Sequence, residues 1–173
     1  VTGRHAWLEV TPRCNARCRY CYNVWRAPGA GTLAPEPSRA GLEAVLEAVL
    51  DRINPGVLTF SGGEPLLRDD LEALVSLARR RRSALEIQLT TNGTLLTRKR
   101  AVALRRAGVS HVLVPLLSDR RETQAELMGL DTFDDACRAL LNARTVGMAA
   151  CAGFVATRRN LPEMAGAFQT ALA

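Results

Sequence analysis

The segment Gly56–Arg80, GVLTFSGGEPLLRDDLEALVSLARR, decides the fold. Gly56 to Phe60 reads as a buried strand, and Ser61-Gly62-Gly63-Glu64-Pro65 is a turn made of residues that break regular structure. Asp69 followed by Glu72 has the spacing of a capping box and predicts a helix from Asp70 to about Arg80. A strand that feeds a helix through a tight turn is half of a βα repeat.

The succession recurs on both sides. Upstream, the short apolar run Trp7 to Val10 leads directly into Thr11-Pro12-Arg13. After a stretch rich in Ala, Gly and Pro (Ala27 to Pro37, read as an irregular surface connection), Leu42, Val45, Leu46, Val49, Leu50 and Ile53 form a one-sided apolar stripe, with Ser38 as its N-cap. Downstream, Leu85 to Thr90 is a third strand, broken by Asn92-Gly93. Thr97 caps the helix that follows, and Gly108 closes it. His111 to Leu117 reads as a fourth strand, in which Pro115 is an awkward occupant because it cannot donate to a ladder. Thr132 to Val146 is a helix, Ala149 to Val155 a fifth strand, and Asn160-Leu161-Pro162-Glu163 opens a last helix with Asn160 as N-cap. Strand and helix alternate five times without a hairpin signal, which predicts an α/β domain with a parallel sheet.

In such sheets ligands bind at the carboxyl ends of the strands. There the chain carries Cys14-Asn15-Ala16-Arg17-Cys18-Arg19-Tyr20-Cys21 after strand one, Gly62-Gly63-Glu64 after strand two, Thr91-Asn92 after strand three and Ser118-Asp119 after strand four. Three crowded cysteines point to a soft metal. A structural zinc site is normally closed by four ligands. Here His5 and His111 stand alone, and Cys137 and Cys151 lie far along the chain in apolar surroundings that favour core packing. Three thiolates suit an iron–sulfur cluster that keeps one iron open, while zinc binding or incidental cysteines remain the alternatives.

The CxxxCxxC triplet with Tyr20 before its last cysteine, followed in order by Ser61–Pro65 and by Thr90-Thr91-Asn92-Gly93-Thr94, closely resembles the core of radical S-adenosylmethionine (radical SAM) enzymes. The resemblance implies a parallel-sheet partial barrel of the (βα)6 type, of which about five βα units are readable. It implies that Cys14, Cys18 and Cys21 ligate a [4Fe-4S] cluster and that S-adenosylmethionine chelates the open iron. One electron, and hence an electron donor, then yields a 5′-deoxyadenosyl radical that abstracts a substrate hydrogen. The resemblance brings Tyr20 to the adenine end of that cofactor and Gly62, Gly63 and Glu64 to its methionyl amino group. Thr91 and Asn92 either bond the ligand or cap the strand end. In many members a serine within strand four reaches the ribose; Pro115 fills that place here, which leaves Ser118 as the candidate. Arg158 and Asn160 are further contacts to consider. The implied substrate is a peptide or a small biosynthetic intermediate.

Composition bounds the reading. The 173 residues amount to one domain, read as residues 1–173 of a radical SAM core lacking its last βα unit. No run of 18 apolar residues predicts a membrane span, no leader is visible, and five cysteines without a disulfide pattern fit a reducing cytoplasm. Of the 23 basic residues 22 are Arg, but they are scattered, and Arg79-Arg80-Arg81-Arg82 falls at a helix end, where cations complement the dipole. The rival readings are a structural iron–sulfur or zinc module, and an Arg-rich nucleic-acid-binding domain. Neither requires the second and third motifs.

Overall fold

The computed structural model describes residues 3–23 and 35–172, so most of the Ala27–Pro37 connection lies outside the described residues. One parallel sheet runs in the order β1 (His5–Thr11), β2 (Val57–Gly62), β3 (Glu86–Thr90), β4 (His111–Pro115), β5 (Ala149–Gly153). Strands that follow one another in sequence lie side by side, and the order never reverses. That is a barrel wall, unlike a doubly wound sheet, whose order reverses at a switch point. Among the described residues six helices accompany it: α1 (Arg39–Arg52), α2 (Leu71–Arg81), α3 (Arg98–Ala107), α4 (Arg121–Met128), α5 (Phe133–Thr145) and α6 (Met164–Leu172).

Strand alternation sorts the residues between two faces. Leu58 and Phe60 of β2, Ile87 and Leu89 of β3, and Val112 and Val114 of β4 point into one core with Leu42, Leu46 and Leu50 of α1, Leu71, Leu74 and Val75 of α2, and Ala136, Ala139 and Ala143 of α5. The residues between them, such as Thr59, Gln88 and Leu113, stay out of that core and face the opposite side. Apolar burial on one face alone holds the layer together. The other face carries Thr59 and Gln88 beside the exposed Trp7 and Leu113.

Local signals read from sequence hold at several ends. Ser38 accepts from Gly41 N at 3.1 Å and Thr97 from Arg100 N at 3.2 Å. Gly108 closes α3 at φ +126°. Pro115 is tolerated because it is the last residue of β4, beyond the final β3–β4 rung at Leu113; the ladder to β5 resumes with Leu116 N–H bonding Gly153 O.

Four expectations are corrected. The Asp69–Glu72 capping box does not form: Asp70 is the N-cap, its carboxylate accepts from Arg68 Nε at 2.8 Å and Nη2 at 2.7 Å, and Glu72 pairs with Arg100. Strands four and five are shorter than expected and end at Pro115 and Gly153. Asn160 caps nothing with its side chain. Fully buried, it accepts from Thr157 and donates to Leu117 O and Val155 O. Cys151 is exposed on the uncovered face, not in the core; Cys137 is half-buried on α5. Helix α4 was not expected at all. It lacks an apolar stripe, and what it buries includes Thr123 and Gln124.

Candidate active site

The cysteine loop leaves the carboxyl end of β1 and is tied down from three directions. The N–H groups of Arg17 and Arg19 bond Met128 O and Leu127 O at 3.1 and 2.9 Å, so the last turn of α4 satisfies its orphan carbonyls on the loop. Asn15 donates to Thr94 at 2.8 Å and accepts from Asn92 at 2.7 Å, joining the loop to the end of β3. Glu64 N–H bonds Arg13 O and Gly63 N–H bonds Thr11 O, both at 2.7 Å. Cys14, Cys18 and Cys21 are each half-buried and line one cavity with Tyr20, Gly62, Gly63 and Asn92.

The glycines are needed for packing against the protein's own backbone. A Cβ on Gly63 would lie 2.0 Å from Arg13 O, and one on Gly62, at φ +125°, would lie 2.5 Å from Thr11 O. The turn after β2 therefore touches the start of the cysteine loop with no room between them. Gly129, after α4, meets Arg17 O in the same way at 2.5 Å.

Glu64 is fully buried and turns away from the cavity toward β3. Its carboxylate accepts from Thr91 Oγ1 at 2.7 Å, Asn92 N at 2.7 Å and Leu66 N at 3.0 Å. Burial pushes its pKa up, and these three donors pull against it. Thr91 is spent on Glu64 and on Gly93 N, while the Asn92 amide reaches 3.9 Å from Cys14 Sγ. A single carboxylate thus sets the position of both residues of the third motif relative to the second.

Tyr20 packs with Cys18 against Leu117, Leu127 and Met128, and its hydroxyl lies 3.1 Å from Met128 Sδ. Burial raises its pKa first, and the neighbouring Cys18 raises it further. Burial likewise raises the Cys18 thiol. Ser118 is buried and already committed: it donates to Glu163 and accepts from Arg120 N. That bond holds the Glu163 carboxyl below its usual range. Ser118 does not line the cavity; Pro115 and Met128 do. Trp7, Tyr22 and Ser61 line it as well, none of them expected from sequence. Tyr22 and Trp7 carry no motif, and Ser61 was read only as the start of a turn. A larger groove of about 460 Å³ between α5 and α6 has Cys137 and Leu141 on its wall and none of the motif residues.

No three His, Cys, Asp or Glu side chains among the described residues close around a single ion. Three cysteines of one loop lining one cavity are a soft donor set of the kind that iron–sulfur clusters use.

Residues 8–162 match the model of the radical SAM superfamily. The chain belongs to that superfamily. Its members are enzymes that use a [4Fe-4S] cluster with S-adenosylmethionine. Over 145 residues this radical SAM chain is 38% identical to a GTP 3′,8-cyclase of Mycobacterium marinum, covering 82% of the chain and 39% of the relative. Over 162 residues it is 32% identical to an Fe-coproporphyrin III synthase of Methanosarcina barkeri, covering 92% and 39%. It spans well under half the length of these curated relatives. In fold it matches anSMEcpe with bound AdoMet (TM-score 0.75, 23% identity, 96% of this chain and 49% of that one). It also matches Streptococcus suis SuiB bound to S-adenosylmethionine (TM-score 0.78, 16% identity, 96% and 37%). The sheet is thus the wall of a radical SAM partial barrel, and its uncovered face is the inner one. Among the described residues no helix is long and apolar enough to cross a membrane.

Proposed function

We propose that residues 1–173 act as the core domain of a radical SAM enzyme, in which Cys14, Cys18 and Cys21 hold a [4Fe-4S] cluster and the adjoining cavity receives S-adenosylmethionine. The observation that carries the reading is the meeting of the three cysteines, the Gly62-Gly63 turn and Asn92 around one cavity at the carboxyl ends of the strands. When bound, the cluster and its ligand supply a 5′-deoxyadenosyl radical that removes a hydrogen atom from substrate.

The chain's own residues bind and orient. Gly62 and Gly63 expose backbone at the cavity wall where the methionyl end would lie, and Glu64 beneath them holds Thr91 and Asn92 against that wall. Asn92 links the wall to Asn15, so a shift of the cysteine loop is transmitted to β3. Tyr20, packed on Met128, offers a ring edge to the adenine end. Ser118 supports the β4 rim through Glu163. Pro115, which lines the cavity, leaves the ribose only an apolar face on that strand. The substrate is a peptide or a small biosynthetic intermediate, and the electron donor is external.

Anaerobic reconstitution tests this. About four irons and four sulfides per chain are expected, with loss of the cluster in Cys18→Ala. Adding S-adenosylmethionine to the reduced protein should alter its electron paramagnetic resonance spectrum. A full cluster in Cys18→Ala, or a spectrum indifferent to saturating S-adenosylmethionine, overturns the reading.

A further inference from the structure

The chain has a net charge of +6, yet its five strands contain no Arg or Lys; their charged residues are Glu9 and Glu86, both on the inner face. Low on that face the polar side chains satisfy one another. His5 Nε2 bonds Thr59 Oγ1 at 2.8 Å, Thr59 donates to Gln88 Oε1 at 3.2 Å, and Gln88 donates to Glu86 Oε1 at 2.6 Å. His111 Nδ1 lies 3.4 Å from the same Glu86 oxygen. Glu86 is therefore partnered. Higher up, level with the cofactor cavity, Glu9 is held by Tyr22 alone among the described residues, the phenol donating to Oε1 at 2.8 Å.

What surrounds Glu9 is unusual for a surface carboxylate. Trp7, two residues earlier on the same face, is 60% exposed with its ring stacked on His5. Tyr22 is 66% exposed. Two open aromatic rings beside one carboxylate form the arrangement that attracts an organic cation, through ring quadrupoles and direct charge together. In register with Glu9 on β2 sits Ser61. Its residue is 4% exposed and lines the cavity, and its hydroxyl faces the Tyr22 phenol without closing a well-formed hydrogen bond. A buried hydroxyl held so weakly keeps donor and acceptor capacity for a ligand atom.

We propose that the inner wall formed by Trp7, Glu9, Tyr22 and Ser61 is the substrate-recognition wall, and that it selects a substrate bearing an organic cation, a protonated amine or a guanidinium. Glu9 faces the charge, Trp7 and Tyr22 flank it, and Ser61 bonds a polar atom nearer the cluster. A polyanion such as a nucleoside triphosphate meets a wall of the wrong sign. The inference rests on the radical SAM reading above and adds the substrate's chemical class.

Three probes test it on the reconstituted protein with S-adenosylmethionine present: Nα-acetyl-lysine amide, its uncharged isostere Nα-acetyl-norleucine amide, and GTP. Equilibrium dialysis should show the lysine probe binding about tenfold more tightly than the isostere, a gap worth about 1.4 kcal/mol. In Glu9→Gln that preference should disappear, and in Trp7→Leu it should shrink. The spectral response of the cluster to S-adenosylmethionine should be unchanged in Glu9→Gln, because the wall serves the substrate and not the cofactor. The proposal is overturned if lysine and norleucine probes bind alike, if neither binds, if GTP binds best and is indifferent to Glu9→Gln, or if Glu9→Gln abolishes the response to S-adenosylmethionine. A parent protein whose spectrum ignores S-adenosylmethionine breaks the cofactor reading instead, so the two failures are separable.

Discussion

Along the rim made by the ends of β1, β2 and β3, each motif bonds to the next: Asn15 to Asn92, Glu64 to Thr91 and Asn92, Gly63 to Thr11. Along β4 and β5, buried amides do the tying, and they tie the rim to itself. Gln124 donates to Pro115 O and accepts from Leu117 N, and Asn160 donates to Leu117 O and Val155 O. In the proposed function the first half of the rim is the cofactor cradle, and its motifs are bonded into one unit. The second half is a stiff support that presents little polar chemistry to the cavity.

The largest effect should therefore come from cutting the cradle at its centre. Glu64→Leu leaves two backbone N–H groups and a threonine hydroxyl buried without an acceptor, at about 1 to 3 kcal/mol each, partly relieved by relaxation. A loss of about 3 kcal/mol or more in urea unfolding is expected, together with loss of cluster loading. A Glu64→Leu protein of parental stability would show that the three bonds are incidental.

That carboxylate also marks where sequence reasoning runs out. The order of strands, the capped starts of α1 and α3 and the gathering of motifs on one rim are all legible, because periodicity, capping residues and βα alternation are local signals. The direction in which a side chain turns is not local. Nothing in Gly-Gly-Glu-Pro says that the glutamate bonds β3 rather than facing outward. Nor does the sequence show that the glycines are needed against Arg13 and Thr11. Helix α4 escaped notice because its inward residues are Thr123, Gln124, Leu127 and Met128, too polar for an apolar stripe; its legible trace was Gly129 at the left-handed stop. The capping box failed because the helix starts one residue later, behind Asp70, whose carboxylate Arg68 holds with two charge-assisted bonds, and because Glu72 pairs with Arg100. That the Tyr22 phenol returns to Glu9 is fixed only by the fold.

Asn160→Ala probes the other half of the rim. Leu117 O and Val155 O lose their amide donor, and about 2 kcal/mol should go with it. Because the Asn160 side chain bonds Thr157, Leu117 and Val155 and no residue of the cysteine loop, iron content should stay at the parental value. Equal loss of iron in Asn160→Ala and Glu64→Leu would erase the distinction between cradle and support.

A smaller effect belongs to the ionic knot behind the cradle, where Arg68, only 6% exposed, binds Asp70 and Glu36. The bond from Arg68 holds the Asp70 carboxyl below its usual range. A depressed folded pKa stabilises the fold above the unfolded carboxylate's pKa, near 4, and that stability fades as pH falls through the folded value. Asp70→Asn should cost about 1 kcal/mol at pH 7. The gap should narrow below about pH 4 and close at the acid end. A gap that widens on acidification would contradict the assignment.

The smallest effect is expected on the inner face beside β4, and it sharpens the comparison from the opposite side. Cys151 lies next to Leu113 in register, and both are exposed there, in contrast with the buried Val112 and Val114 one residue away. An exposed thiol has no cavity to leave behind and no packing to lose. Cys151→Ser should therefore change stability by no more than about 0.5 kcal/mol. If the three loop cysteines alone hold the cluster, the reconstituted iron content should not move either. A loss near 2 kcal/mol would mean that the inner face is covered at this point and that Cys151 is packed. A drop in iron with stability intact would mean that a fourth cysteine reaches the cluster. The second result would put β5 in the cradle and leave the β1–β3 half with no special claim on the cofactor.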